Sequence, residues 1–115
     1  MHEMSLAAAL IEDIVRIAQE HQAIRVEAVE LHVGALKQVV PEILAEAFKA
    51  VAIGTPAEGA VLTQIEIPPR SLCQGCGQEF VPSPSDFLCP YCGALSMITL
   101  QGDELILSSL TCATP

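Results

Sequence analysis

Basic side chains are scarce in this sequence of 115 residues. Five Lys and Arg stand against fourteen Asp and Glu, which gives a formal net charge of −9 at pH 7. Proteins that bind nucleic acids need clustered Lys and Arg to contact phosphates, and anionic membranes attract basic segments in the same way. The charge balance therefore argues against both a nucleic-acid partner and attachment to a membrane surface.

Aromatic residues and long apolar runs are also few. There is no Trp, one Tyr and three Phe, and the longest uncharged stretch, residues 87–102, contains two cysteines and a proline. That stretch is too short and too interrupted for a transmembrane helix, and the N-terminus lacks the basic region of a signal peptide. We therefore predict a cytoplasmic protein without membrane insertion, whose thin aliphatic core needs support from a metal or a partner.

Hydrophobic periodicity predicts two helices. Apolar residues recur at helical spacing from Ser5 to His21, with Ser5 as the N-cap. A second apolar stripe follows Pro41, a residue favoured in the first turn of a helix, and Gly54 and Pro56 end that helix.

Three further segments have the pattern of strands, over residues 24–33, 60–67 and Glu104 to Leu110. The predicted fold class is α+β, with two helices packed on a three-stranded mixed sheet and an inserted zinc-ribbon-like lobe. We predict one domain from residues 1–70 plus 101–115 and a second, four-cysteine domain from residues 71–100. Within the second domain, residues 81–85 have the composition of a loop.

Four of the five cysteines form two C-x-x-C pairs. Cys73 and Cys76 are separated from Cys89 and Cys92 by twelve intervening residues. Four thiolates at this spacing can surround one tetrahedral ion, and a closed four-sulfur site leaves no position for substrate, so it predicts a structural zinc. Reduced thiols, redox dithiols and an iron site like that of rubredoxin remain alternatives. Cys112 stands apart and is interpreted as a free thiol or a small apolar residue.

Histidine at position 2 is a candidate metal ligand. Its imidazole, a main-chain amide nitrogen and the amine of Met1 can surround one ion, and such nitrogen-rich sites suit Ni(II) or Cu(II). A flexible polar terminus without a metal is the ordinary alternative. His21, at a helix end, and His32, on an exposed strand face, are interpreted as residues that bind no metal.

Together these residues resemble the HypA/HybF family of hydrogenase maturation factors, which deliver nickel. The resemblance covers nearly the whole chain and is most specific in the combination of the N-terminal triplet with the cysteine pairs. It is carried by Met1-His2-Glu3, Leu31-His32-Val33-Gly34, Pro41-Glu42, Ala47-Phe48, Gly54-Thr55, Glu58-Gly59-Ala60, Leu62, the two cysteine pairs and Gly102-Asp103-Glu104-Leu105. Gly77 and Gly93 stand where some members carry histidines beside the cysteines.

The resemblance implies a nickel metallochaperone with two metal sites. Ni(II) is expected transiently at the N-terminus, on His2, Met1 and Glu3, within the domain of residues 1–70 plus 101–115. Zn(II) is expected on Cys73, Cys76, Cys89 and Cys92. The implied partners are the nickel-handling GTPase of the maturation pathway and the precursor of the [NiFe] hydrogenase large subunit. Whether the chain also pairs with itself as a dimer is left open.

Other functions are weighed beside this one. A zinc-ribbon interaction module without a nickel role has the same cysteines, and a small rubredoxin-like electron carrier would hold iron there. An enzyme is not expected, because no Ser/His/Asp or Cys/His set is suggested and the cysteine site is closed. The phosphate-binding pattern G-x-x-x-x-G-K-[ST] does not occur, so any GTP hydrolysis is expected of a partner.

Overall fold

The computed structural model of the chain describes residues 2–82 and 88–115, leaving out the side chain of His2. Within these residues, two helices and six strands follow one another, with a short 3₁₀ helix over Ala35–Lys37. Their order is α1 (His2–Glu20), β1 (Arg25–Gly34), α2 (Pro41–Ala52), β2 (Val61–Ile67), β3 (Arg70–Cys73), β4 (Glu79–Phe80), β5 (Met97–Gln101) and β6 (Leu105–Ala113).

The chain divides into two compact units. The first unit comprises Met1–His32, Val39–Ile65 and Ile106–Pro115, and the second comprises Val33–Gln38 and Glu66–Leu105. None of the helices in the described part of the chain is long and apolar enough to cross a membrane.

The main sheet is mixed, has the strand order β2-β1-β6 and carries the two helices. The α+β prediction of two helices on a three-stranded mixed sheet is therefore confirmed. Helices α1 and α2 pack against each other. Aliphatic side chains dominate the core of the first unit, as the scarcity of aromatics predicts: Ala7, Leu10, Ile11, Ile14, Ala18, Val26, Val29, Leu31, Leu44, Ala47, Phe48, Ala52 and Ala57 are buried.

The start of α1 differs from the prediction. The helix begins at His2, so Ser5 lies inside it and is not its N-cap. Glu3 falls in the first turn, where a carboxylate is favoured by the helix dipole, and this extends the helix past Ser5. The start of α2 agrees with the prediction, since Pro41 is its first residue and Val40 is its N-cap.

The alternating apolar residues of β2 lie on one face of the strand, but that face is not buried. Val61 and Ile65 remain 64% and 38% exposed, whereas Leu62, which points the other way, lines a cavity together with Phe48 of α2. Strand β6 begins at Leu105 and runs to Ala113, beyond the predicted end at Leu110.

The second unit contains strands that the sequence pattern did not predict. Strand β3 is the centre of an antiparallel sheet of order β4-β3-β5, in which Ser71 pairs with Phe80 on one side and with Thr99 on the other. These strands have two to five residues, too few for a period to be recognised.

Of the predicted loop 81–85, Val81 and Pro82 have no regular structure, and residues 83–85 lie outside the described residues.

Gly34 lies where two segments of the second unit approach closely. Its N–H donates to the carbonyl oxygen of Glu104 over 2.8 Å, and the N–H of Leu36 donates to that of Gly102 over 2.7 Å. A Cβ atom on Gly34 would overlap the carbonyl group of Gly102 and would lie 2.9 Å from the nitrogen of Asp103. Only glycine therefore fits at this position.

We expect Gly34→Ala to destabilise the protein by about 2–4 kcal/mol, because overpacking and a displaced main-chain hydrogen bond act together. The matched control is Gly59→Ala, where φ is +81° but no atom lies within 4 Å of the new Cβ. The control should lose only the roughly 1–2 kcal/mol of the left-handed backbone. Thermal melting of the metal-loaded protein measures both, and equal melting temperatures would contradict the close approach.

Candidate metal centres

The four paired cysteines converge in the second unit. Their sulfur atoms all lie within 4.8 Å of one another, with 3.5 Å between Cys73 Sγ and Cys92 Sγ and 3.7 Å between Cys76 Sγ and Cys89 Sγ. A disulfide would require about 2.05 Å. Sulfurs at about 2.3 Å from a tetrahedral ion lie about 3.8 Å apart, so the cluster has the dimensions of a four-thiolate metal site.

Two equivalent turns build the cluster. In the first, Gly77 donates its N–H to the carbonyl oxygen of Cys73, and in the second, Gly93 donates to that of Cys89, both over 2.9 Å. Both glycines have positive φ, +77° and +76°, as the glycine after each cysteine pair predicts. Each turn brings its two sulfurs to one centre from adjacent backbone.

Main-chain donors stabilise negative charge on the first sulfur of each pair. The N–H groups of Cys76 and Gly75 donate to Cys73 Sγ over 3.4 and 3.3 Å, and the N–H of Tyr91 donates to Cys89 Sγ over 3.4 Å. The donor from Cys76, followed by that from Gly75, lowers the pKa of the Cys73 thiol to about 6 against the loss of solvation. These donors are peptide groups, so no side-chain pattern identifies them.

The second thiol of each pair, Cys76 and Cys92, has a raised pKa and holds its proton more tightly. The N–H of Ala94 lowers the pKa of the Cys92 thiol. The hydrogen bond between Cys92 and Cys73 and the loss of solvation outweigh that effect, and together they raise the pKa of Cys92 to about 12. Neighbouring thiolates repel one another, so the four thiols cannot all be ionised without a cation between them. A divalent cation removes this conflict, and the donor set therefore fits a bound metal ion.

The buried cluster of the second unit consists largely of the metal-site residues themselves. Cys73, Cys89 and Phe80 are buried, and Ala94 and Met97 pack against them. Tyr91 is 66% exposed. Because the described residues supply so few buried apolar groups here, a bound metal would be the main source of stability around the cysteines.

Two residues of the N-terminal triplet, His2 and Glu3, begin α1. Met1 and the side chain of His2 lie outside the described residues, whereas Glu3 is buried and its Oε2 accepts a hydrogen bond from the N–H of Val40 over 3.3 Å. This bond joins the first turn of α1 to the residue that caps α2, where a carboxylate is favoured by the helix dipole. The sequence pattern did not predict this contact between residues 37 positions apart.

The other histidines and Cys112 are not brought together with the cysteine cluster. His32 Nε2 lies 3.4 Å from Glu30 Oε2, and this oxygen also accepts a hydrogen bond from Ser108 Oγ over 3.1 Å. His21 and Cys112 line one cavity in the first unit. In the described part of the chain, the four paired cysteines are the single group of three or more Cys, His, Asp or Glu close enough to share an ion.

Comparison with protein families gives the context of this cluster. Residues 1–112 match the family described as "Hydrogenase/urease nickel incorporation, metallochaperone, hypA". The chain belongs to the HypA family. It is therefore a nickel-incorporation metallochaperone of the HypA type, with a four-cysteine site for a metal.

Curated relatives and a solved HypA structure agree with this assignment. The chain is 39% identical over 110 residues to "Hydrogenase maturation factor HypA" of Desulfitobacterium hafniense (strain DSM 10664 / DCB-2), with 96% of each chain covered. It is 43% identical over 105 residues to the protein of the same name from Deinococcus radiodurans, and this alignment covers 91% of this chain and 88% of the relative. "Solution structure of the Ni metallochaperone HypA from Helicobacter pylori" matches with a TM-score of 0.76 and 25% identity over 100% of both chains.

Proposed function

We propose that the chain binds one Ni(II) ion at its N-terminus and passes it to the precursor of a [NiFe] hydrogenase large subunit. The observation that carries the proposal is the HypA-family match, which extends over the Met1-His2-Glu3 triplet. The proposed ligands are the amine of Met1, the imidazole and main-chain nitrogen of His2, and Glu3. Linked nitrogens in adjacent chelate rings suit the tetragonal geometry of Ni(II).

The positions of His2 and Glu3 at the start of α1 support this ligand set. His2 is the first residue of the helix, so its main-chain nitrogen is not committed to an intrahelical hydrogen bond. The Glu3 carboxylate already accepts a bond from Val40, so we assign Glu3 a role through its main-chain nitrogen.

For the cysteine cluster we propose Zn(II), held by Cys73, Cys76, Cys89 and Cys92. The sulfur separations and the donor type support zinc, which prefers four tetrahedral thiolates in structural sites. Zinc bound there would stabilise the surrounding fold and take no part in a reaction. The proposed functional division assigns nickel to residues 1–70 plus 101–115 and zinc to residues 71–100.

The proposed partner upstream of the hydrogenase precursor is the nickel-handling GTPase of the maturation pathway, and the proposed compartment is the cytoplasm. The names of the curated relatives, which are hydrogenase maturation factors, support a hydrogenase as receiver. The proposed role is that of a carrier and requires no catalysis by this chain.

An N-terminal extension tests the proposed chelate. We expect the unextended protein to bind one Ni(II), and a few residues placed before Met1 to weaken binding strongly even though His2 is unchanged. The reason is that the extension moves the amine away from the imidazole. Calorimetric titration with Ni(II) measures both forms, and a C-terminal extension of the same residues is the control. Equal affinities of the two extended forms would contradict an N-terminal chelate.

A further inference from the structure

The four sulfurs of the cysteine cluster differ in exposure. The first cysteine of each pair, Cys73 or Cys89, is buried, whereas the second, Cys76 or Cys92, is exposed. An oxidant in solution therefore reaches the second sulfur of each pair first. Exposed thiolates are the cysteines most susceptible to oxidation, and a neighbouring thiol converts the first oxidation product into a disulfide.

Close sulfur contacts run between the two pairs. Cys73 Sγ lies 3.5 Å from Cys92 Sγ, and Cys76 Sγ lies 3.7 Å from Cys89 Sγ, so each contact joins one buried and one exposed sulfur. A disulfide requires about 2.05 Å, which these sulfurs reach by approaching each other by about 1.5 Å. Four cysteines allow three connectivities, and these contacts select one of them.

Loop length favours the same connectivity. A disulfide from Cys73 to Cys92 encloses residues 73–92, whereas one from Cys73 to Cys76 would enclose only residues 73–76. The longer loop removes more conformational freedom from the unfolded chain, so a disulfide between the pairs holds the second unit together after a metal has left. Thiol–disulfide exchange then selects the pairing that the folded second unit accommodates.

We propose that the cysteine cluster is an oxidation-sensitive site, in which peroxide joins Cys73 to Cys92 and Cys76 to Cys89 and thereby releases the bound zinc. The inference rests on the zinc proposed above for this cluster. A disulfide sulfur is not a thiolate, so the first disulfide removes two of the four ligands that a structural zinc requires. Thiols reverse the reaction by exchange and restore the site.

Each disulfide consumes one molecule of hydrogen peroxide. The exposed thiolate attacks one peroxide oxygen, the O–O bond breaks, and a sulfenic acid and a hydroxide ion form. The neighbouring buried thiolate then attacks the sulfur of the sulfenic acid, the S–S bond forms, and a second hydroxide ion leaves. Two thiolates have then lost two electrons, and the peroxide has been reduced to two hydroxide ions that take up protons from the solvent.

Peptide mapping of the full zinc-loaded chain after treatment with hydrogen peroxide tests this pairing. Glu79 lies between the two cysteine pairs, so cleavage after glutamate places them on separate peptides. We expect disulfides to keep these peptides joined, and their fragmentation in a mass spectrometer to connect Cys73 with Cys92. A chromogenic chelator should record the loss of all bound zinc, and dithiothreitol with added zinc should restore the metal content.

Cys112→Ser is the matched control, because Cys112 is a free cysteine outside the cluster and its removal should leave zinc release and the peptide map unchanged. Separate peptides, each with a disulfide within its own pair, would overturn the proposal. Zinc retained at a peroxide concentration that oxidises Cys112 would also overturn it. A chain without zinc before treatment would overturn the zinc assignment and the release step, whereas a different connectivity in a zinc-loaded chain would overturn the pairing alone.

Discussion

Replacing Cys73 with serine is expected to abolish metal binding at the cysteine cluster and to unfold the surrounding part of the second unit. Serine does not ionise at neutral pH, so three thiolates remain for an ion that requires four protein ligands in a structural site. Binding of structural zinc contributes an apparent free energy of about 10–16 kcal/mol to folding. The few buried side chains around the cluster cannot replace it.

Elemental analysis and limited proteolysis measure the effect of Cys73→Ser. We expect one zinc per parent chain, without the visible absorption of an iron–thiolate centre, and no zinc in the variant, whose second unit becomes susceptible to protease. Cys112→Ser is the matched control. Cys112 is a half-buried free cysteine outside the cluster, so this variant should keep its zinc. Equal zinc loss from both variants would contradict the four-cysteine assignment.

Nickel binding by Cys73→Ser tests whether the two proposed metal sites are independent. The proposed nickel ligands belong to the first unit and the cysteines to the second. We expect calorimetric titration of Cys73→Ser to give a nickel affinity close to that of the parent. Loss of nickel binding while α1 and α2 remain folded would show that the sites are coupled.

Local patterns were sufficient to predict the metal cluster and the main sheet. A C-x-x-C-G turn is a local structure, since its hydrogen bonds join residues four apart, such as Gly77 to Cys73. The spacing within each cysteine pair therefore predicts that its two sulfurs lie close together. Strand β1 was predictable for the same reason, because Val29, Leu31 and Val33 alternate with polar residues and are all buried.

Contacts between distant residues were not predictable from local patterns. Nothing around Glu3 indicates that its carboxylate accepts a bond from Val40, and nothing around Gly34 indicates that Gly102 lies against it. The start of α1 was misplaced because Ser5 is a good N-cap, while the contribution of Glu3 to the first turn depends partly on the tertiary contact with Val40. Tertiary structure decided these three features.

Replacing His2 with alanine is expected to remove tight nickel binding while leaving the zinc site and the fold intact. The imidazole is the side-chain nitrogen of the proposed chelate, and Ni(II) prefers a complete tetragonal set of nitrogens. Removing a group that only hydrogen-bonds to a metal ligand costs roughly 10–100-fold in metal affinity. Loss of a ligand should cost more, so the weakening should exceed that range.

The other two histidines supply matched controls for His2→Ala, since His21→Ala and His32→Ala each remove one imidazole from the same chain. His32 lies beside Glu30 and His21 lines a cavity of the first unit, so neither belongs to the proposed chelate. Calorimetric titration with Ni(II) should therefore separate His2→Ala from both controls. If all three variants bound nickel like the parent, no histidine would serve as a ligand, and the N-terminal nickel site would be wrong although the family assignment would stand.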